Sequence, residues 1–202
     1  MEPGLPVPSR SELILGGQKS GKSRRAERLA LAWLDGGDGR QAMLIATAQP
    51  WDDEMQARIA RHQADRAVRV PGLRTLEEPR QLAQAIRAHS RPDTLLVVDC
   101  LTLWLTNWRM PMHPVAAPVF EPNQPAGHAS IEPIALLLEA IAAAPGPLVL
   151  VGNEIGLGVI PMGAEVRAFV DALGRLNQQV AEVCARVTLM AAGLPLTLKA
   201  PA

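Results

Sequence analysis

Gly16-Gly17-Gln18-Lys19-Ser20-Gly21-Lys22-Ser23 is the stretch that most limits what this chain can fold into. It fits G-x-x-x-x-G-K-[ST], the pattern of a loop that wraps nucleotide phosphates. Glycines allow successive backbone N–H groups to converge on one concavity without Cβ clashes. The helix that must follow turns its unpaired N–H groups and positive dipole end toward the anion. In that pattern the Lys22 amine reaches the β- and γ-phosphates and the Ser23 hydroxyl sits on Mg²⁺.

The flanks supply the setting such a loop needs. Ser11-Glu12-Leu13-Ile14-Leu15 reads as a short buried strand entering it, and Ser23 to Leu34 as a helix leaving it. Lysine usage points the same way. The chain has seventeen Arg but only three Lys, and two of those three, Lys19 and Lys22, lie in this loop. A bound nucleoside triphosphate is therefore expected.

Beyond the loop, strand and helix signals alternate. Ala42 to Thr47, Thr94 to Asp99 and Leu148 to Gly152 are continuous apolar runs, as parallel strands covered on both faces should be. The expected fold is α/β, a mostly parallel sheet with helices on both faces. Residues 1–10 are expected to be a flexible tail and 11–202 a single domain. Residues 110–133, with six prolines, are expected to form a surface insert. Ala164 to Arg186 reads as a long helix with an apolar stripe from Val166 to Val183. Val187 to Met190 and Leu196 to Lys199 read as closing strands. Thr75-Leu76-Glu77-Glu78-Pro79 reads as a helix start with acidic first-turn residues.

Bulk properties exclude several classes. At net charge +0, no polyanion partner such as nucleic acid is indicated. No apolar run reaches the length of a membrane span, and the N-terminus lacks the apolar core of a signal peptide, so the cytoplasm is the expected compartment. Cys100 and Cys184 are too few for a disulfide framework or a metal site and read as core residues.

Three further side chains are candidates for chemistry. Asp99 ends an apolar strand, where a carboxylate holds Mg²⁺ directly or through water in phosphate-loop proteins. Glu154, beyond the Leu148 strand, is open to a metal or base role or to a plain turn. On the helix that begins near Asp52, Asp52, Met55, Ile59 and His62 recur at spacings of 3, 4 and 3, along one face. A lone His there is ordinarily a satisfied structural residue. Its neighbours Arg58, Arg61 and Arg66 would favour an anionic ligand, or equally form a solvated face.

Several segments, in order, resemble one family. They are the phosphate loop with Arg24, Ile45-Ala46-Thr47-Ala48-Gln49, Asp52-Asp53-Glu54-Met55, Arg58-Ile59-Ala60-Arg61-His62, Arg74-Thr75-Leu76-Glu77, Val98-Asp99-Cys100-Leu101-Thr102, Asn153-Glu154-Ile155-Gly156-Leu157-Gly158 and Gly174-Arg175-Leu176-Asn177-Gln178. This set is similar to the bifunctional adenosylcobinamide kinase/adenosylcobinamide-phosphate guanylyltransferases of cobalamin biosynthesis.

The resemblance implies a RecA-like P-loop NTPase fold assembled as a homotrimer. It implies transfer of the γ-phosphoryl of ATP or GTP to adenosylcobinamide, then of GMP from GTP to the cobinamide phosphate through a histidine. By position that histidine is His62. Thr47, Ala48, Gln63, Ala64, Asp65, Arg66, Glu77 and Asp99 would surround the guanine nucleotide, with Ser23 and Asp99 on the metal. The alternative is another small-molecule P-loop kinase in which His62 is structural and no guanylyl transfer occurs.

Overall fold

In the computed structural model, which describes residues 9–110 and 131–201, β1 (Ser11–Gly16) is buried at all six positions and lies inside the sheet. After it come α1 (Lys22–Leu34), β2 (Gln41–Ala46), α2 (Asp53–Arg69), β3 (Leu73–Glu77), α3 (Leu82–His89) and β4 (Thr94–Asp99). Then follow α4 (Leu101–Arg109), α5 (Ile131–Ala143), β5 (Leu148–Val151), α6 (Ala164–Val183), β6 (Arg186–Ala191) and β7 (Leu194–Lys199). The seven strands form one sheet in the order β3-β2-β4-β5-β1-β6-β7. Every pairing is parallel except β6 with β7.

Strand alternation divides the core in two. Leu13, Leu96, Val98 and Leu150 face one cluster with Leu82 and Ile86 of α3, Trp104 of α4, Leu137 of α5, and Leu173 and Leu176 of α6. Ile14, Leu95, Val97 and Val149 face the other, with Ala26, Leu29 and Ala30 of α1. A strand with helices on both sides must be apolar at every position, which is why these runs show no polar alternation. The expected α/β architecture is present, with all the carboxyl ends of the parallel strands on one rim.

Three local expectations are corrected and one element is added. Thr75 to Glu77 belongs to β3, a strand at the sheet edge paired only with β2, rather than to a helix start. An edge strand tolerates the exposed Arg74 and Glu77, so its charge pattern does not resemble the central strands. Leu101–Arg109, unassigned by the sequence reading, is α4. Within α6, Leu173, Leu176 and Val180 are buried, but Val166 is 49% and Val183 37% exposed, so the apolar stripe is covered only in its middle. That helix also stops at Val183, before the expected Arg186. Most of the expected tail (1–10) and proline-rich insert (110–133) lies outside the described residues.

Candidate nucleotide and transfer site

β1 delivers the chain to the loop at Gly16, whose φ of 151° lies outside the range that side chains favour. A Cβ there would come 2.5 Å from the Met190 carbonyl oxygen and 2.6 Å from Ser20 Oγ, so this close approach admits glycine alone. The loop is tied down from three sides. Ser20 N–H donates to Gly17 O (3.2 Å), Glu154 N–H to Gly16 O (3.0 Å) and Gly193 N–H to Ser20 O (3.0 Å). Gly21, at φ 102°, caps the start of α1, and no side chain occupies that cap. Gly17, Gln18 and Lys19 are exposed, and buried Ser20 Oγ has no hydrogen-bond partner. An orphaned hydroxyl beside a ring of backbone donors suits a phosphate oxygen.

Lys22 is 7% exposed, and its Nζ donates to Gly17 O at 2.6 Å. Burial pulls this amine below the ordinary lysine value, while Cys100 and Asp99 nearby pull it back up. Asp99, half-buried at the end of β4, accepts a hydrogen bond from Ser23. Burial raises its carboxyl above the usual aspartate range. The Ser23 bond opposes that rise most, followed by the charges of Arg66 and His62, whereas Glu27 adds to it. The Cys100 thiol is pushed up to about 11 by burial and by the Asp99 charge, so it stays protonated and is no nucleophile.

The helix α2 carries His62 and Arg66, whose charges act on Asp99. Asp52 caps it, its side chain accepting from Met55 N–H at 2.7 Å, and Asp53 and Glu54 complement the first turn. Asp52 therefore serves the helix start. Met55, Ile59 and Arg66 are half-buried, whereas His62 is exposed. The other end of α2 is fastened to α1 by Arg69, which donates to both carboxylate oxygens of buried Glu27 (2.7 and 3.1 Å). Asp65 joins that pair at 3.7 Å from Arg69. Gln63 Nε2 donates to Glu77 Oε1 (3.2 Å), linking α2 to the end of β3.

Thr47 and Ala48 lead from β2 into α2. Thr47 is fully buried; its hydroxyl donates to Cys100 O (2.7 Å) and accepts from Cys100 N–H (2.8 Å). Ala48 is half-buried in the same link and Ala64 lies exposed on α2. Glu154 accepts from Gly156 N–H (2.9 Å), so it closes its own turn, the second of its two readings. His89 ends α3 at the opposite end of the sheet; His113 and His128 lie outside the described residues.

One supporting residue escaped the sequence reading. Asn107 of α4, 2% exposed, donates from Nδ2 to Thr47 O (2.8 Å) and Pro79 O (2.9 Å), joining the links after β2 and β3. An asparagine in a short helix carries no local signal of such a role.

Among the described residues no cluster of three or more His, Cys, Asp or Glu side chains is disposed to hold an ion. The pair Ser23 and Asp99 nevertheless offers two hard oxygen donors of the kind Mg²⁺ takes when phosphates supply further ligands. No described helix is long and apolar enough to cross a membrane.

Residues 12–198 match the family described as "Cobinamide kinase / cobinamide phosphate guanyltransferase". The chain is 45% identical over 188 residues to the bifunctional adenosylcobalamin biosynthesis protein CobP of Pseudomonas aeruginosa, covering 93% of this chain and 96% of that one. It is 36% identical over 187 residues to the bifunctional adenosylcobalamin biosynthesis protein CobU of Escherichia coli, covering 93% and 98%. In fold it is similar to the flagellar accessory protein FlaH of Methanocaldococcus jannaschii, with a TM-score of 0.52 at 12% identity, covering 98% of this chain and 82% of that one.

Proposed function

Since the chain belongs to the cobinamide kinase/cobinamide phosphate guanyltransferase family, we propose that one phosphate loop serves both transfers and that His62 carries GMP in the second. The reading is supported by the Ser23 hydrogen bond to Asp99 beside the loop and by the charges of Arg66 and His62, which act on that same carboxylate.

In the kinase step the loop amides and Lys22 hold the β- and γ-phosphates while the hydroxyl of the cobinamide arm attacks the γ-phosphorus. The bond to the β-phosphate oxygen breaks, the nucleoside diphosphate leaves and the hydroxyl proton passes to solvent. In the guanylyl step a neutral His62 nitrogen attacks the α-phosphorus of GTP. A P–N bond forms, the bond to the β-phosphate oxygen breaks, and pyrophosphate leaves. A phosphate oxygen of cobinamide phosphate then displaces His62, restoring the imidazole and giving adenosylcobinamide-GDP. Two displacements replace one difficult one. Arg66, one turn beyond His62, supplies positive charge toward the transferring phosphoryl group. Bound Mg²⁺, with Ser23 and Asp99 as protein ligands, would supply charge neutralisation at the phosphate oxygens.

The guanine nucleotide is assigned to the surface of Ala48, Gln63, Ala64, Asp65, Arg66 and Glu77, with fully buried Thr47 supporting the link after β2 from within the fold. A homotrimer belongs to the same reading, supported by the uncovered edge strand β7, where Leu194 is 70%, Leu196 57% and Leu198 56% exposed. A cytoplasmic location goes with it, as ATP and GTP are held there.

The test is incubation with GTP labelled in its α-phosphate, followed by intact-protein mass. An acid-labile, base-stable GMP adduct that is lost in His62→Ala, with cobinamide phosphorylation retained, is expected. An adduct that persists in His62→Ala, or no adduct from a wild type that binds GTP, overturns the assignment.

A further inference from the structure

The N-E-x-G-x-G segment has no part in the nucleotide chemistry above, yet its root is built into the site. It leaves β5, which lies between β1 with the phosphate loop and β4 with Asp99. Three bonds anchor it there: Glu154 N–H to Gly16 O (3.0 Å), Asn153 N–H to Thr102 Oγ1 (2.9 Å) and Asn177 Nδ2 to Asn153 O (3.0 Å).

Past that root the chain exposes a row of large apolar side chains. Leu157 is 81%, Val159 95%, Ile160 78% and Met162 96% exposed. The row is held in place: Arg167 Nη1 donates to Pro161 O (3.0 Å) and Met162 O (2.5 Å), so its far end is clamped to α6. Between row and helix lies an open cavity of about 690 Å³, within the range of small-molecule sites. Its wall on α6 includes Val170, Gly174, Arg175 and Gln178. Gly174 stands in mid-helix, where glycine costs about 1 kcal/mol relative to alanine, and a Cβ there would meet nothing within 4 Å. The cavity's depth at this point is therefore set by a missing side chain.

We propose that this cavity and the apolar row beside it form the corrinoid subsite, seating one face of the cobinamide macrocycle while its aminopropanol arm reaches the phosphate loop. This deepens the reading under Proposed function and rests on it. A corrin is a broad body with methyl-bearing faces and a rim of neutral amides. Leu157, Ile160 and Met162 suit the faces, and Arg175 and Gln178 suit the rim carbonyls. An acceptor must approach the γ-phosphoryl in line from outside the loop, and a segment joined to Gly16 on one side and to α4 on the other borders that approach. A nucleotide fits this cavity poorly, because its phosphates already belong to the loop.

The test uses the full-length protein and a cavity-filling variant, Gly174→Leu, which gains helix propensity and whose Cβ meets nothing within 4 Å. Kinase assays with cobinamide and ATP, GTP titration by calorimetry, and mass by light scattering are compared with wild type. The expected result is a KM for cobinamide raised tenfold or more, with GTP affinity within twofold and mass unchanged. Ile160→Glu, on the opposite wall, is expected to behave alike. A cobinamide KM within twofold of wild type in both variants overturns the subsite. A fall in mass in either variant does so too and makes the row an interface between copies. If the wild type itself phosphorylates no cobinamide, the corrinoid reading fails and takes this inference with it, an outcome distinct from a loss confined to the variants.

Discussion

Thr47 and Cys100 hold each other by two hydrogen bonds across the carboxyl ends of β2 and β4, one donated by the Thr47 hydroxyl (2.7 Å) and one accepted by it (2.8 Å). The two residues are 53 positions apart, and each stands at the threshold of a functional segment: Thr47 before α2 with His62, Cys100 directly after Asp99. Cys100 O has a second donor in Trp104 N–H (3.1 Å), so its N–H is the group that depends on Thr47. Thr47→Val keeps shape and removes the hydroxyl, leaving that buried N–H unpaired at a cost of about 1–3 kcal/mol. Urea unfolding is the measurement, and Thr47→Ser is expected to recover most of the loss.

Asp99 should show a trade between stability and activity. Its folded pKa is raised, chiefly by burial, so the protonated form is favoured in the fold. The stability this contributes is present below the unfolded aspartate value and is lost as pH rises through the higher folded value. At neutral pH the charged carboxylate therefore destabilises the nucleotide-free protein. Asp99→Asn is expected to raise the melting temperature at pH 7, with a gain that shrinks toward pH 4, while lowering both transfer rates by roughly 100-fold or more. A variant less stable than wild type at pH 7 would contradict the assigned environment.

The Arg69–Glu27 pair should be asymmetric. Glu27 is the buried partner, with 9% of its side chain exposed against 36% for Arg69. Removing Arg69 strands a buried carboxylate, whereas removing Glu27 leaves a guanidinium that water can reach. Arg69→Met is expected to cost about 2 kcal/mol and Glu27→Gln about 1 kcal/mol. Hydrogen exchange at the C-terminal turn of α2 should rise in both, more in Arg69→Met.

Gly16 and Gly17 are adjacent but not equivalent. Gly16→Ala drives a methyl against the Met190 carbonyl and Ser20 Oγ, at a φ unsuited to alanine. It should destabilise by roughly 1–3 kcal/mol and abolish GTP binding. A Cβ on Gly17 meets nothing within 4 Å, so Gly17→Ala should stay within about 0.5 kcal/mol of wild type in chemical denaturation.

Lys22 marks the shared loop. Lys22→Met is expected to lower both phosphoryl and guanylyl transfer by roughly 100-fold or more, since one amine serves both. Assays of each half-reaction check this, and selective loss of one would assign the two steps to separate sites.

What the sequence determined by itself was local or periodic. Eight contiguous residues encode the backbone of the loop from Gly16 to Ser23. Continuous apolar runs encode central strands, because a position covered on both faces has no water side to mark. His62 is legible as a residue on a helix, and the role proposed for it comes only from resemblance. Tertiary structure decided the rest. The edge strand β3 exists because β2 offers it a hydrogen-bonding partner, and its own charged pattern gives no such sign. Asn107 joins the links after β2 and β3 through carbonyls 60 and 28 residues away, distances over which no spacing rule operates. The exposure of Leu157 to Met162 is equally silent in a string of letters, where apolar residues read as core. Whether such a row is buried depends on what other segments pack against it, and here the fold leaves it exposed.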